Sequence, residues 1–262
     1  MLRNARTAAL AILAVGALSL SACGGSDDSG SAADSGLDLV SEGKLTVCSD
    51  IPYVPFEYEE NGEYTGFDMD LVKEIAAGLD LELAVQDAGF EGIASGTVLA
   101  ANQCDLSASA ITITPEREEA MGFADSYYDS LQSLLVPADS DVKTLDDLAG
   151  KKLGVQGNTT GESYARENAS SDVEIVAFPS DAELFPAIQS GNVDAVLQDL
   201  PVNLGHTEDG KFTIAEKYQT DESYGFAMDK DNTELISAVN EQLSTLRENG
   251  KYQEIYDSYF TE

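Results

Sequence analysis

Leu45-Thr46-Val47-Cys48-Ser49-Asp50-Ile51-Pro52-Tyr53 is a short β-prone run that stops at a turn built around Pro52 and Pro55. Working outward from it, Leu71, Val72, Ile75 and Leu79 recur at helical spacing behind Asp68, which is expected to cap that helix. Leu81–Val85 reads as a strand, 90–101 as a helix and Leu106–Ile111 as a third strand. Thr114-Pro115 then supplies a cap with Pro at the first helical position. Strand–helix–strand alternation of this kind builds a mostly parallel sheet with helices on both faces.

From about Leu134 the rhythm starts again, with strands expected at Leu153–Gln156, Val173–Phe178 and Val193–Leu197 and helices over 159–168 and 181–190. The two halves echo each other. Ala101-Asn102-Gln103-Cys104-Asp105-Leu106 and Ser190-Gly191-Asn192-Val193-Asp194-Ala195 each run from a helix end through a polar turn to an Asp that opens a strand. The fold class expected is therefore α/β with two related lobes, each a mostly parallel sheet flanked by helices. Lobe 1 takes residues 37–133 and 227–262, and lobe 2 takes 134–226. The chain then crosses between lobes twice, near 133–136 and 224–227, which makes a hinge over a cleft at the strand ends. The tail closes with a helix over 233–249, stopped by Gly250, and a last helix over 252–260.

The 262 residues carry 14 Lys+Arg against 48 Asp+Glu, a formal charge of −34, with 43% hydrophobic residues. That much apolar content fits a packed core rather than a disordered acidic chain. The negative field repels phosphate backbones, so no nucleic-acid partner is expected. Arg3 and Arg6 precede an apolar run from Ala8 to Leu20, too short for a comfortable membrane span, and then Leu20-Ser21-Ala22-Cys23. Residues 1–22 are read as a signal peptide, and Leu-Ser-Ala-Cys resembles the bacterial lipobox, in which the Cys is acylated. Cys23 is thus the expected lipid attachment, and residues 23–36 a polar tether. The expected location is extracytoplasmic, anchored to the cell membrane through that lipid. Cys48 and Cys104 remain, and an oxidising compartment favours one disulfide between them, with two buried free thiols as the alternative. One His, His206, in a loop expected to be exposed, leaves little for a metal. No metal, cofactor or catalytic residue is expected.

Charged and aromatic residues gather where strands end. Arg117 follows Thr112-Ile113-Thr114-Pro115 and suits a carboxylate, unless it merely pairs with Glu118 or Glu119 on the surface. Asp199 follows Val196-Leu197-Gln198 and suits an ammonium, unless it merely caps a helix. Tyr53 and Phe90 start the first two helix-bearing loops, and Thr159-Thr160-Gly161 can aim backbone donors into the cleft or cap a helix.

Tyr53-Val54-Pro55-Phe56-Glu57 with Gly66-Phe67-Asp68-Met69-Asp70-Leu71 resembles the polar amino-acid binding proteins of bacterial ABC importers, solute-binding family 3. So do Thr112-Ile113-Thr114-Pro115-Glu116-Arg117, Phe123-Ala124-Asp125-Ser126-Tyr127-Tyr128, Asp194-Ala195-Val196-Leu197-Gln198-Asp199 and Leu246-Arg247-Glu248-Asn249-Gly250-Lys251-Tyr252. The resemblance covers roughly residues 43–260 and implies the periplasmic-binding-protein (Venus-flytrap) fold. It implies a monomer that takes a polar amino acid, glutamine-like or basic, and delivers it to a membrane permease. Arg117 would take the α-carboxylate and Asp199 the ammonium, with Tyr53 and Phe90 on either side of the ligand. Ser109, Ala110 and Thr112 would contribute from lobe 1, and Thr160 and its neighbours from lobe 2. Asn158 stands where many relatives have Gly, and Gln156 where some have Lys. Asp50 would face a basic side chain, although relatives with neutral ligands also carry an Asp there. A ligand sensor and a cyclohexadienyl-dehydratase-like enzyme are the alternatives on the same fold.

Overall fold

A computed structural model describes residues 36–260. The signal peptide 1–22, Cys23 and all but the last residue of the 23–36 tether therefore lie outside the described residues. In chain order the first strands are β1 (Lys44–Ser49), β2 (Tyr58–Glu60) and β3 (Glu63–Thr65), followed by α1 (Phe67–Gly78) and β4 (Glu82–Asp87). Next come α2 (Phe90–Ala94), α3 (Thr97–Ala100), β5 (Leu106–Ser107), α4 (Pro115–Ala120), β6 (Gly122–Phe123) and β7 (Tyr128–Pro137). The second half holds β8 (Lys152–Gln156), α5 (Thr160–Asn168), β9 (Glu174–Phe178), α6 (Asp181–Gln189), β10 (Ala195–Asp199) and α7 (Leu200–Gly205). The chain ends with β11 (Phe212–Tyr224), β12 (Ala227–Met228), α8 (Thr233–Glu248) and α9 (Lys251–Tyr259).

Two five-stranded sheets result, in the orders β4-β1-β5-β12-β6 and β11-β7-β10-β8-β9. In each, the strands of the βαβ rhythm are parallel: β1 with β4 and β5, and β8 with β9 and β10. The sheets are mostly parallel, as expected, with one reversed strand in each: β12 runs antiparallel to β5 and β6, and β7 antiparallel to β10 and β11. The reason is topological, since a strand that arrives directly from the other sheet runs back against its new neighbours. Leu45, Val47, Leu71, Val72 and Ile75 are wholly buried between β1 and α1, and shortening one of them to Ala costs about 2–5 kcal/mol.

The sequence echo has a structural meaning. Asp105 accepts the Thr46 N–H at the start of β1 and returns its own N–H to the Thr46 carbonyl, 2.7 and 2.8 Å. Asp194 makes the same exchange with Lys152 at the start of β8, both contacts 2.8 Å. Each Asp pins the beginning of its parallel neighbour strand. Cys48 of β1 is disulfide-bonded to Cys104, their Cα atoms 5.7 Å apart, beside the first of these pins.

Residues 124–127 and 225–226 join the sheets, so the first crossing lies ahead of the 133–136 expected from sequence. They run side by side, with Ala124 N–H on the Phe226 carbonyl and Tyr127 N–H on the Tyr224 carbonyl, each 2.9 Å. Three further details differ from expectation. The helix over 90–101 is two short ones, broken at Gly96 with φ +72°. The strand expected to reach Ile111 leaves the ladder after Ser107. Asp68 does not cap α1, whose N-cap is Gly66. Asp68 is buried at the second position of the helix, where its Oδ2 accepts Ala110 N–H at 2.9 Å and the Tyr127 hydroxyl at 2.7 Å.

Candidate functional site

A cavity lies between the two sheets, lined by Asp50, Tyr53, Phe90, Ser109, Ala110, Thr112, Arg117, Gln156, Thr159, Thr160 and Asp199. Nearly all follow the carboxyl ends of parallel strands: Asp50 after β1, Phe90 after β4, Ser109 to Thr112 after β5, Gln156 and Asp199 at the ends of β8 and β10. That is where open α/β sheets present their crevices. Every candidate named from sequence lines this cavity except Asn158, whose place is taken by Thr159.

Arg117 is buried, 8% exposed, and does not form the surface pair that Glu118 or Glu119 offered. Thr114 caps α4 by accepting the Arg117 N–H and so turns the side chain toward the cleft. Its Nη1 donates to the Thr112 carbonyl at 2.8 Å and its Nη2 to the Asn158 carbonyl at 3.0 Å, with the Phe90 ring centroid 5.5 Å away. A guanidinium has five N–H donors, so three remain for an anion. Burial lowers its proton affinity, and the charges of Asp199 and then Glu222 oppose that. Asn158 holds φ +63°, a conformation in which Asn follows Gly in tolerance. It therefore serves through its carbonyl on Arg117 rather than as a wall of the cavity.

Asp199 precedes α7, yet its carboxylate caps nothing. Instead it accepts from the Tyr53 hydroxyl at 2.9 Å, from the Tyr224 hydroxyl and from Gln132 Nε2. Burial raises its affinity for protons, and the two hydroxyls, the amide and Arg117 counter this. Tyr53 and Tyr224 are pushed well above the ordinary phenol range by burial first and the Asp199 charge second. They stay protonated as donors.

At the other end, Asp50 accepts from Gln156 Nε2 at 2.7 Å. Burial pushes its carboxyl up to about 6, the Gln156 bond opposes this, and the charges of Asp87 and Asp181 add to it. The Asp50 N–H donates to Ser109 Oγ at 3.0 Å, and Ser109 donates to the buried Glu57 at 2.8 Å. Ala110 lines the cavity with φ +46°, a strained conformation for a residue with a Cβ, held in place by the Asp68 bond. Tyr53–Asp199, Asp50–Gln156 and Arg117–Asn158 all run from the first sheet's side to the second, so the two sides are drawn together over the cavity.

His206, expected to be exposed, is largely covered. It stacks on Phe185 at 3.6 Å between centroids and lies 3.3 Å from Asp181. Gln132, Tyr224 and Glu222 escaped the sequence reading. Gln132 carried a signal, a polar residue inside the apolar run Leu131–Val136 of β7, where it is wholly buried.

The profile of the bacterial extracellular solute-binding proteins, family 3, matches residues 45–262. The chain is 33% identical over 208 residues to the ABC transporter glutamine-binding protein GlnH of Bacillus subtilis (strain 168), covering 77% of this chain and 75% of that protein. It is 30% identical over 251 residues to the arginine-binding extracellular protein ArtP of the same organism, covering 92% of each. Among solved structures, an ancestral arginine-binding protein bound to glutamine superposes with a TM-score of 0.80 at 33% identity, covering 85% of this chain and 100% of that one.

Proposed function

The chain belongs to the bacterial extracellular solute-binding proteins, family 3, and from that premise we propose that it captures a polar L-amino acid between its lobes for an ABC permease. The observation that carries this is a buried cavity with one guanidinium, Arg117, and one carboxylate held by three donors, Asp199. An α-carboxylate takes the remaining Arg117 donors and the N–H groups at the start of α5, while the α-ammonium takes Asp199. Tyr53 and Phe90 flank the ligand. Asp50 and Gln156, one acceptor-rich and one bifunctional, face its side chain and suit a glutamine-like or basic group. Contacts from both lobes stabilise the closed form, which is the form a permease receives.

The function is capture without chemistry. Ser109, one of the hydroxyl residues lining the cavity, is committed to Glu57, and the ring nitrogen of His206 faces Asp181. Cleavage before Cys23 and acylation of that residue would anchor the monomer on the extracytoplasmic side of the membrane. The crossings at 124–127 and 225–226 serve as the hinge. A thermal-shift screen of the twenty amino acids tests the reading. A ligand at about a thousand times its Kd adds roughly 4 kcal/mol of stability, and a screen in which none raises Tm would sink it.

A further inference from the structure

Glu222 is a buried acid with no part in the contacts assigned above. It stands directly after an irregularity in β11. Tyr218 pairs with Gln132 and Glu222 with Ser130, so β11 spends four residues where β7 spends two. Within that stretch Asp221 holds φ +50°. Bulges of this kind collect beside functional sites and re-aim side chains, and a strained residue persists only where its surroundings impose it. Here the Glu222 carboxylate is turned inward, 8% exposed. Gln132 Nε2 lies 2.9 Å from Glu222 Oε2 and donates to Asp199 as well, so one amide serves two carboxylates. Gly161 makes room for this, since a Cβ there would stand 2.8 Å from Gln132 Oε1.

The groups acting on Glu222 come from five elements. Burial and then Asp199 of β10 push its carboxyl up to about 7, while Gln132 of β7, Thr160 of α5 and Thr220 of β11 itself counter this. Arg117 of α4 is the cation that feels both acids. Asp129 of β7, across the strand, is exposed and accepts from Ser223 at 2.7 Å. One guanidinium thus faces two carboxylates at this end of the cavity, with Asp50 at the other end. A zwitterion that engages Arg117 through its carboxylate takes away the cation that offsets Glu222, and it pairs with Asp199 alone through its ammonium.

We propose that Glu222 is a further residue of the binding site, carrying a proton in the closed cleft so that Arg117 and Asp199 remain a single charge pair matched to a zwitterion, and that capture of the amino acid takes up a proton. The inference rests on the amino-acid-binding reading and adds a charge state to it. Two consequences have a fixed sign. Affinity falls as pH rises through the Glu222 range, and a neutral residue at 222 removes the fall.

Titration calorimetry with L-glutamine and L-arginine tests this, in two buffers of different ionisation enthalpy at pH 7.5 and across pH 7.0–8.5. Expected for the wild type are net proton uptake and a Kd that rises roughly tenfold over that range. Glu222→Gln keeps the hydrogen bond to Gln132 and is expected to show no uptake and a flat Kd. Should it fail to fold, Glu222→Met, equally neutral, is expected to give the same flat profile at lower overall affinity. Proton release, a buffer-independent enthalpy, or wild-type uptake persisting in the neutral variant overturns the proposal while leaving amino-acid binding intact. Binding of none of the twenty amino acids overturns the binding reading and the proposal with it.

Discussion

Replacing Asp199 with Asn separates what the cleft needs for its ligand from what it needs for its own stability. In the folded chain this carboxylate accepts from Tyr53, Tyr224 and Gln132, and burial holds its proton affinity up. Asn keeps the shape and one acceptor but leaves an incoming ammonium without its counter-charge in a buried setting. Truncating one partner of such a pair costs on the order of 2–5 kcal/mol, or roughly 30-fold to several-thousand-fold in Kd. The free protein behaves oppositely. A carboxyl with a raised pKa destabilises the folded state once it ionises, so the neutral amide relieves that penalty and Tm without ligand should hold or rise at pH 7.5. Calorimetry with the strongest ligand of the amino-acid screen, paired with scanning calorimetry of the free variant, reads both effects. An affinity within about threefold of wild type would refute the role of Asp199. A large drop in free-protein Tm would show that the carboxylate is structural.

Arg117→Ala leaves the ligand carboxylate unpaired and should also cost about 2–5 kcal/mol of binding, with Arg117→Lys only partly restoring it because the fork is lost; calorimetry on the two variants decides. Cys48 and Cys104 close a loop with a sequence separation of 56, so the double Ala variant should lose about 4 kcal/mol of stability by the chain-entropy relation, read by urea unfolding. Asp50, Asp68 and Glu222 have carboxyls pushed up by burial to about 6, 7 and 7, and Glu57 is raised well above its ordinary value. The folded chain therefore holds protons that the unfolded chain has released. Stability should fall as pH rises from about 4.5 to about 7.5, and a Tm that climbs over that range contradicts the burial argument. Gly161→Ala presses on Gln132 Oε1 and should weaken binding through Asp199 while leaving Cys48–Cys104 formation unchanged, as thiol titration beside calorimetry would report.

Much of the site was legible because it is written in strand ends. Asp50, Phe90, Gln156 and Asp199 each follow an apolar run that periodicity alone marks as a strand, and parallel strands deliver their ends to one crevice. What stayed hidden depends on partners far away in the chain. Asp68 has the look of a cap, but Ala110 and Tyr127 claim its carboxylate, 42 and 59 residues on. β7 begins at Tyr128 although Ser130, Gln132 and Ser133 break its apolar pattern. They are buried because Tyr224, Asp199, Glu222 and Asn203 meet their polar groups. Glu222 sits in Gln219-Thr220-Asp221-Glu222-Ser223, which reads as an exposed polar loop. Only the bulge against β7 turns that one side chain inward. Register across a sheet is a long-range property, and no local pattern encodes it.

The central claim is that Arg117 and Asp199 hold opposite ends of one amino acid between the two sheets. A crystal structure of the protein with the strongest ligand of the screen tests it most directly. The predicted result is an α-carboxylate within about 3.2 Å of the Arg117 guanidinium and an α-ammonium at similar distance from the Asp199 carboxylate. A ligand bound elsewhere, or lying in the cavity with these ends reversed, would contradict it.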